Sequence, residues 1–435
     1  MVAESDVVVV GGGSAGVAAA VSAARNGASV TLVERYGCLG GMASGGMVLV
    51  LDDMVNGREV TVLGLCAEYI NRLNKLGLAV YPTPEEWGDD PTAVRHWTRW
   101  GAADFRFAGT PKPICYSVAF DPDGWKRVSL DLIREAGVQL RLHSWSADVV
   151  MDGNRVTGVR CLTKAGFQEL RGRVVIDTSG DLDVAAAAGA SFVHGRYLVT
   201  TVFRLGGVDV EAAERHWDEE PREAAILNRR AKLILGGAWE NWWLRTPLAG
   251  VVWCNCPHLS GYDGIDPESQ TAAEIAGRDR VYALVAYAHS ALPGFEHCFV
   301  VDVASQLGVR QTRLLRGEYI VTMADIAERR HFRDSVARGR DYYTPYRALL
   351  PREVEGLLVA GRHYSAEPQA QRVSREIPPC ISMGEAAGAA AALAAEKNMR
   401  VRDVDMAVLR GRLRDQGHDP GDVPSANASP ASENI

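Results

Sequence analysis

Val7 to Val10 are apolar at every position, with none of the alternation of a half-exposed strand, so the run predicts a strand buried on both faces. Gly11-Gly12-Gly13-Ser14-Ala15-Gly16 follows and fits G-x-G-x-x-G. The first glycine permits a tight turn, the second lets a pyrophosphate approach the backbone, and the third lets helix pack on strand. Val17 to Asn26 is Ala-rich and predicts a helix whose N-terminus faces the phosphates. Gly27 ends that helix, Ser29 to Val33 is the next strand, and Glu34 stands at its end, placed to accept hydrogen bonds from a ribose diol. Strand, glycines, helix, strand and acid in this order, within about 30 residues, predict dinucleotide binding.

Beyond Glu34 the pattern changes several times. Residues 36 to 47 hold five glycines in twelve positions, suiting backbone close to a ligand. Residues 48–117 read as an insertion without chemistry of its own, with a helix over Leu63 to Leu76 and a loop rich in Pro and Trp. An amphipathic helix is expected over Trp125 to Ala136. Asp152-Gly153-Asn154 and Lys164-Ala165-Gly166 then mark turns of a β-meander that ends in the buried strand Val174 to Asp177 and in Thr178-Ser179-Gly180-Asp181. The following LDVAAAAGA predicts a helix with an acid near its start. Residues 196–344 read as an inserted substrate or cap domain, with helices around 269–290 and 320–330. Gly356 to Gly361 is a last buried strand, and a helix is expected over Ile381 to Glu396, after Pro378-Pro379. The Pro-, Ser- and Asn-rich tail, 416–435, is expected to be disordered.

Charge and composition narrow the class. A net charge of −7 argues against a nucleic-acid partner. The start MVAESD is acidic, so the valines read as a strand rather than a signal-peptide core, and no apolar run reaches membrane-spanning length. Eight cysteines without a C-x-x-C pair suggest reduced thiols and a cytoplasmic setting.

The N-terminal unit, the meander ending in DTSGD and the C-terminal LLVAGR strand frame one discontinuous domain, in segments 1–47, 118–195 and 345–415. This resembles the FAD-binding domain of the glutathione-reductase and fumarate-reductase flavoproteins, an α/β Rossmann-like fold. More closely, the chain is similar to the FAD-dependent oxidoreductase family. Leu39-Gly40-Gly41, Gly180 to Ala190, Ala360 to Gly388, PGFEH at 293–297 and GVRQTRLLRGEY at 308–319 carry that resemblance. It implies FAD held by Gly11, Gly13, Ser14, Ala15, Gly16, Glu34 and Arg35, then by Gly40, Gly41 and Met42. Val149, Ser179, Gly180, Asp181, Gly361, Arg362, Met383 and Gly384 complete the implied set. The C-terminal helix would point its positive end at the flavin pyrimidine. No second G-x-G-x-x-G follows a strand, so electrons are expected from the substrate or from a separate donor.

Candidate chemistry is spread along the chain. Arg310 and Arg313 match family positions and suit a carboxylate clamp, against the plainer reading of a solvated basic face. Arg375 matches the family arginine before the proline. His363 sits where the family carries a cysteine, and reads as catalytic, as a covalent flavin link or as packing. Pro368-Gln369 replaces the family's His-Glu pair, which removes an acid–base pair from that place. His258 is a candidate acid or base beside Cys254 and Cys256, whose spacing falls short of a zinc site, and no metal is expected. Trp239, Trp242, Trp243 and Trp253 line a pocket or form core. The function expected is hydride transfer between a small organic substrate and flavin N5, with oxidation favoured. The rivals are a flavoprotein without net redox change (hydratase, isomerase or synthase) and an electron-transfer subunit, the latter weakened by the absence of iron–sulfur cysteine spacing.

Overall fold

The structure, a computed structural model, describes residues 2–429 and is a mixed α/β fold built on a largely parallel sheet. Val7, Val8 and Val9 are wholly buried because their strand, Val2–Val10, lies in the middle of that sheet. It pairs in parallel with Val30–Val33 on one side (Val7 opposite Val30) and with Gly166–Asp177 on the other (Val7 opposite Val174). Gln139–Arg141 extends the first side and Leu357–Val359 pairs in parallel with the end of Gly166–Asp177. The start of Gly166–Asp177 belongs to an antiparallel meander with Arg155–Thr163 and Trp145–Asp152. One twelve-residue strand therefore joins the meander to the parallel sheet and ends at the DTSGD turn.

Two helices pack against each other beside this sheet. Ser14–Arg25 follows the glycine turn, and Ile377–Lys397 comes from the far end of the chain. Their backbones touch. An added Cβ on Gly384 would lie 2.2 Å from the Ala15 carbonyl oxygen, and one on Gly388 would lie 2.2 Å from that of Ala19. Every residue from Ile377 to Ala395 is buried, so this helix is a central core element with no solvent face there. It begins at Ile377 rather than at the expected Ile381. Pro378 and Pro379 sit inside its first turn, where a missing N–H leaves no intrahelical bond unmade.

Residues 196–344 contain a separate antiparallel sheet, in the order Leu244–Arg245, Val252–Cys254, Phe203–Gly206, Phe299–Val303. Helices Pro221–Leu235 and Pro267–Ala291 help close a second core around Phe203, Val252, Leu284 and Phe295. Residues 48–117 share the main core instead of standing apart. Leu51, Met54 and Tyr69 are buried in it, and Tyr69 stacks on Trp125 with ring centroids 4.2 Å apart.

The expected disordered tail differs most from the structure. His418 is buried: its Nδ1 lies 3.2 Å from Glu385 Oε2 and its Nε2 lies 2.9 Å from the Val336 carbonyl oxygen. Asp419 pairs with Arg338 at 2.6 Å, and the Ser335 hydroxyl donates to the Pro420 carbonyl. A small-residue composition hid these anchors, each of which has its partner far away in sequence. Residues 430–435 lie outside the described residues. Among the described residues no helix is long and apolar enough to cross a membrane.

Candidate functional site

A cavity of about 1380 Å³ runs from the N-terminal glycine turn to a chamber beneath the second sheet. At its near end Gly11, with φ +104°, turns the chain so that Gly13, Ser14 and Ala15 form the wall. Gly13 supplies no side-chain cap, so the first N–H groups of Ser14–Arg25 are left for an anion at this helix N-terminus. Glu34 closes the turn: its Oε2 accepts from Gly12 N–H at 2.6 Å and its Oε1 from Tyr36 N–H at 2.8 Å. Burial raises its carboxyl above the usual range, and these N–H bonds offset part of that effect. Each oxygen keeps a further lone pair for a ribose hydroxyl. Arg35 lies over the Tyr36 ring at 4.9 Å and the Trp145 ring at 5.0 Å, making a flat wall where the cavity opens.

Midway, the DTSGD and GRH turns meet. Asp177 accepts from Ser179, Val184 and Ala185 N–H groups, and its Oδ1 lies 3.2 Å from His363 Nε2. Burial alone would raise this carboxyl, but His363 and the N–H bonds outweigh burial and hold it low. Asp181 accepts from Arg362 and from the Thr312 hydroxyl, each at 2.8 Å. The wall here comprises Ser179, Gly180, Asp181, Gly361, Arg362 and His363, opposite Gly41 and Met42. Beyond them the N-terminus of Ile377–Lys397, with no acid in its first turn and no side-chain cap from Glu376, opens on the chamber through Ile377 and Cys380.

The sequence profile of the FAD dependent oxidoreductase family matches residues 6–344 and 338–413. The chain belongs to that family. Its cofactor is therefore FAD, and the near end of the cavity fits an adenosine diphosphate: one uncapped helix start, a glycine-lined approach and a buried carboxylate bonded to the turn. The chain is also similar, at low identity, to several solved structures. One is a geranylgeranyl bacteriochlorophyll reductase-like protein from Thermoplasma acidophilum, at 13% identity over 97% of this chain and 86% of that one, with a TM-score of 0.47. Another is p-nitrophenol 4-monooxygenase from Pseudomonas putida, at 13% over 95% and 85%, with a TM-score of 0.48. A third is glycine oxidase from Bacillus cereus, at 14% over 93% and 97%, with a TM-score of 0.47. No curated protein matches significantly in sequence.

Several residues expected at the site of this flavoprotein stand behind the wall instead of in it. An added Cβ on Gly16 would lie 1.7 Å from the Gly11 carbonyl oxygen, so this glycine packs helix on turn. Gly40 donates its N–H to the Gly12 carbonyl at 2.8 Å and supports the loop from outside. Gly384 seats the far helix on Ala15, Met383 is core, and Val149 pairs with Val159 and packs on the core behind the meander. Arg313 does not join Arg310. Arg310 lies in the irregular stretch before the strand that Arg313 opens, and the two side chains meet different partners. Arg313 donates to the Asp181 carbonyl at 2.7 Å and to Asp183 Oδ1 at 2.5 Å. His258 also falls outside the lining. Its Nε2 lies 3.2 Å from Arg310 Nη2, and burial together with that charge lowers its pKa to about 4, so it accepts from the arginine as a neutral ring.

The chamber itself holds Arg310 and Arg375 with Glu376, which the sequence did not single out, and two further residues missed in the same way, Asp52 and Arg106. Both come from the segment read as an insertion without chemistry. Asp53, with φ +67°, is a non-glycine residue in the left-handed region, held by Tyr342 OH at 2.6 Å and by Arg106. That turn presents Asp52 to the chamber without a hydrogen-bond partner among the described residues. Burial, Glu376 and Asp53 push its carboxyl up to about 8. The LDDM run was the available signal, and nothing local distinguishes it from a surface turn. The tryptophans divide. Trp242 and Trp243 pack on Phe295, with ring centroids 5.2 and 5.6 Å away, and Trp242 also lines the cavity, as do Trp239 and Trp253. Cys254 and Cys256 are buried free thiols, and no group of His, Cys, Asp or Glu among the described residues is arranged for a metal.

Proposed function

We propose that this flavoprotein oxidises a small organic substrate bound in the chamber, within a discontinuous, Rossmann-like FAD-binding domain capped by residues 196–344. The observation that carries the reading is a cavity that joins the dinucleotide turn to a chamber lined with charged side chains, Arg310 buried among them. Bound FAD supplies a hydride acceptor at its N5. The chain does the rest. Glu34 and the Ser14–Arg25 N-terminus hold the adenosine diphosphate end, and the N-terminus of Ile377–Lys397 favours negative charge at the chamber. As a substrate C–H bond gives up its hydride, the adjoining O–H or N–H gives its proton to Asp52, and a C=O or C=N bond forms. A carboxyl near pKa 8 is ionised in about a tenth of molecules at pH 7, a fraction that rises with pH, and lies close to the optimum for proton exchange. A separate electron acceptor then restores the oxidised cofactor.

The test is anaerobic mixing of the holoprotein with a panel of alcohols, amines and organic acids, and with NADH and NADPH, while flavin absorbance is followed. Bleaching by one organic substrate supports the reading, and Asp52→Asn should slow that bleaching at least tenfold without releasing FAD. Turnover with an unaltered flavin spectrum would favour chemistry without net redox change. Bleaching by nicotinamide alone would reverse the direction of the reaction.

A further inference from the structure

We infer that the chamber is an anion subsite in which Arg310 grips the carboxylate of a substrate whose body is apolar and aromatic. This names the substrate class for the oxidation proposed above and rests on that reading for the word substrate.

Three arginines among the described residues are buried, and two of them are paid in full by carboxylates. Arg204 pairs with Asp121 at 2.9 Å and with Asp302 at 2.5 Å. Arg338 pairs with Asp419 at 2.6 Å and with Glu59 at 3.2 Å. Arg310, only 8% exposed, has no carboxylate partner of this kind. Its Nη2 meets neutral groups alone: the Thr200 hydroxyl at 3.1 Å, Asn255 Oδ1 at 3.5 Å and His258 Nε2 at 3.2 Å. Its Nη1 has no partner among the described residues, and the side chain lines the cavity. Burying a cation against neutral acceptors is unfavourable by several kcal/mol unless an anion completes the site. Burial and the nearby Arg375 charge drag its pKa down to about 10, the same imbalance seen as titration.

Arg375 adds a second cation to the chamber and is only partly balanced by Glu376, at 3.4 Å. Arg310 and Arg375 therefore face the cavity together with charge to spare. The surroundings define what the anion is attached to. Arg310 lies 5.5 Å from the Trp239 ring centroid, and Trp253 is fixed by donating its indole N–H to the Met47 carbonyl at 2.6 Å. Val202, Leu307 and Val309 complete an apolar side. A guanidinium holds a carboxylate in one plane, so the carbon next to it is presented in one orientation, which is what a hydride donor needs.

The probe is benzoate, with benzamide as its neutral counterpart and acetate as its counterpart without the ring. Binding to the holoprotein is read by tryptophan fluorescence and by the flavin absorption envelope, with no turnover required. Benzoate should bind at least tenfold more tightly than benzamide or acetate. Arg310→Gln should weaken benzoate at least tenfold and leave benzamide unchanged, with Arg310→Lys between the two. Equal affinity for benzoate and benzamide in the parent protein overturns the inference whether or not the variants fold. So does exclusion of benzoate from holoprotein but not from FAD-stripped protein, because the cofactor itself would then be the anion that Arg310 meets. Failure of the oxidation reading looks different: benzoate would bind in an Arg310-dependent way while no aromatic or apolar carboxylic acid bleached the flavin.

Discussion

The two ends of the cavity are made of different materials. The near end is built from backbone: glycine turns, helix N-termini and one acid, nearly all within residues 10 to 42 and 177 to 181. The far end is built from side chains: Asp52, Arg106, Arg310, Arg375 and Glu376, carried by four separate segments. Backbone N–H groups suit any diphosphate, so the near end specifies a cofactor and little else. A chamber of charged side chains has a sign and a shape, so in the oxidation proposed above it is the part that would select the substrate.

The sharpest way to break this contrast is to disturb the seam that joins the two ends. Gly384→Val would force a side chain into the Ala15 carbonyl, since even its Cβ would lie 2.2 Å from that oxygen. Overpacking of this kind destabilises by about 1–3 kcal/mol or more, and both ends should fail together. The expected outcome is a low soluble yield and an FAD-to-protein ratio near zero. A stable holoprotein would show that the helices have room to part. Glu34→Ala probes the near end alone. Loss of charge-assisted bonds of about 1.5–3 kcal/mol should lower FAD affinity by roughly one to two decades, while benzoate binding to FAD-saturated protein stays the same. Unchanged FAD affinity by titration would place the ribose contact elsewhere.

Arg313→Gln separates the two family arginines. It removes bonds to Asp181 and Asp183, so it should reduce stability by about 1.5 kcal/mol and leave the preference for benzoate over benzamide intact. A loss of that preference at matched stability would return Arg313 to the chamber. The smallest effect is a pH slope. Burial disfavours the His418 imidazolium, but the Glu385 carboxylate and the Val336 carbonyl outweigh it and raise the pKa above the unfolded value. The native state thus binds this proton more tightly. Its stabilisation is complete below about pH 6.5 and is lost as pH rises through the higher folded value. Melting curves from pH 6 to 9 should fall with a component of at most about 1.4 kcal/mol per pH unit that His418→Gln removes. Parallel pH profiles for parent and variant would mean that the pair stays neutral.

The contrast between the ends also explains what could be read in the sequence. Gly11, Gly13, Ser14, Ala15 and Glu34 announced themselves because a dinucleotide turn is local, and its spacing survives in one dimension. The buried valines and the meander were legible for the same reason. Arg313 was misplaced because spacing of three suggests one face only on a helix, and here an irregular stretch leads into the strand that begins at Arg313. Gly16, Gly40 and Gly384 carry family positions, yet they serve close packing, which a pattern does not distinguish from ligand contact. Asp52 had only the LDDM run, which nothing local distinguishes from a surface turn, and Arg106 had no local signal. Their role arises from tertiary neighbours: Glu376, more than 300 residues away, for Asp52, and Asp53 for Arg106. The tail was misjudged because one histidine and one aspartate anchor a stretch whose composition is otherwise that of a linker.

The seating of Ile377–Lys397 on Ser14–Arg25 also sets an order of events during biosynthesis. The glycine turn leaves the ribosome first, but the helix that backs it is encoded near the opposite end, and the Ser22 hydroxyl waits for the Glu385 carbonyl, 363 residues on. At elongation rates of about 5–20 residues per second, that interval is roughly 20–70 s. Throughout it the first helix has an uncovered flank, and chaperones have a defined window in which to occupy it. Flavin loading is accordingly a late, post-translational event. Ribosome-bound chains stalled before residue 377 should retain no FAD, whereas the released full-length chain should take it up.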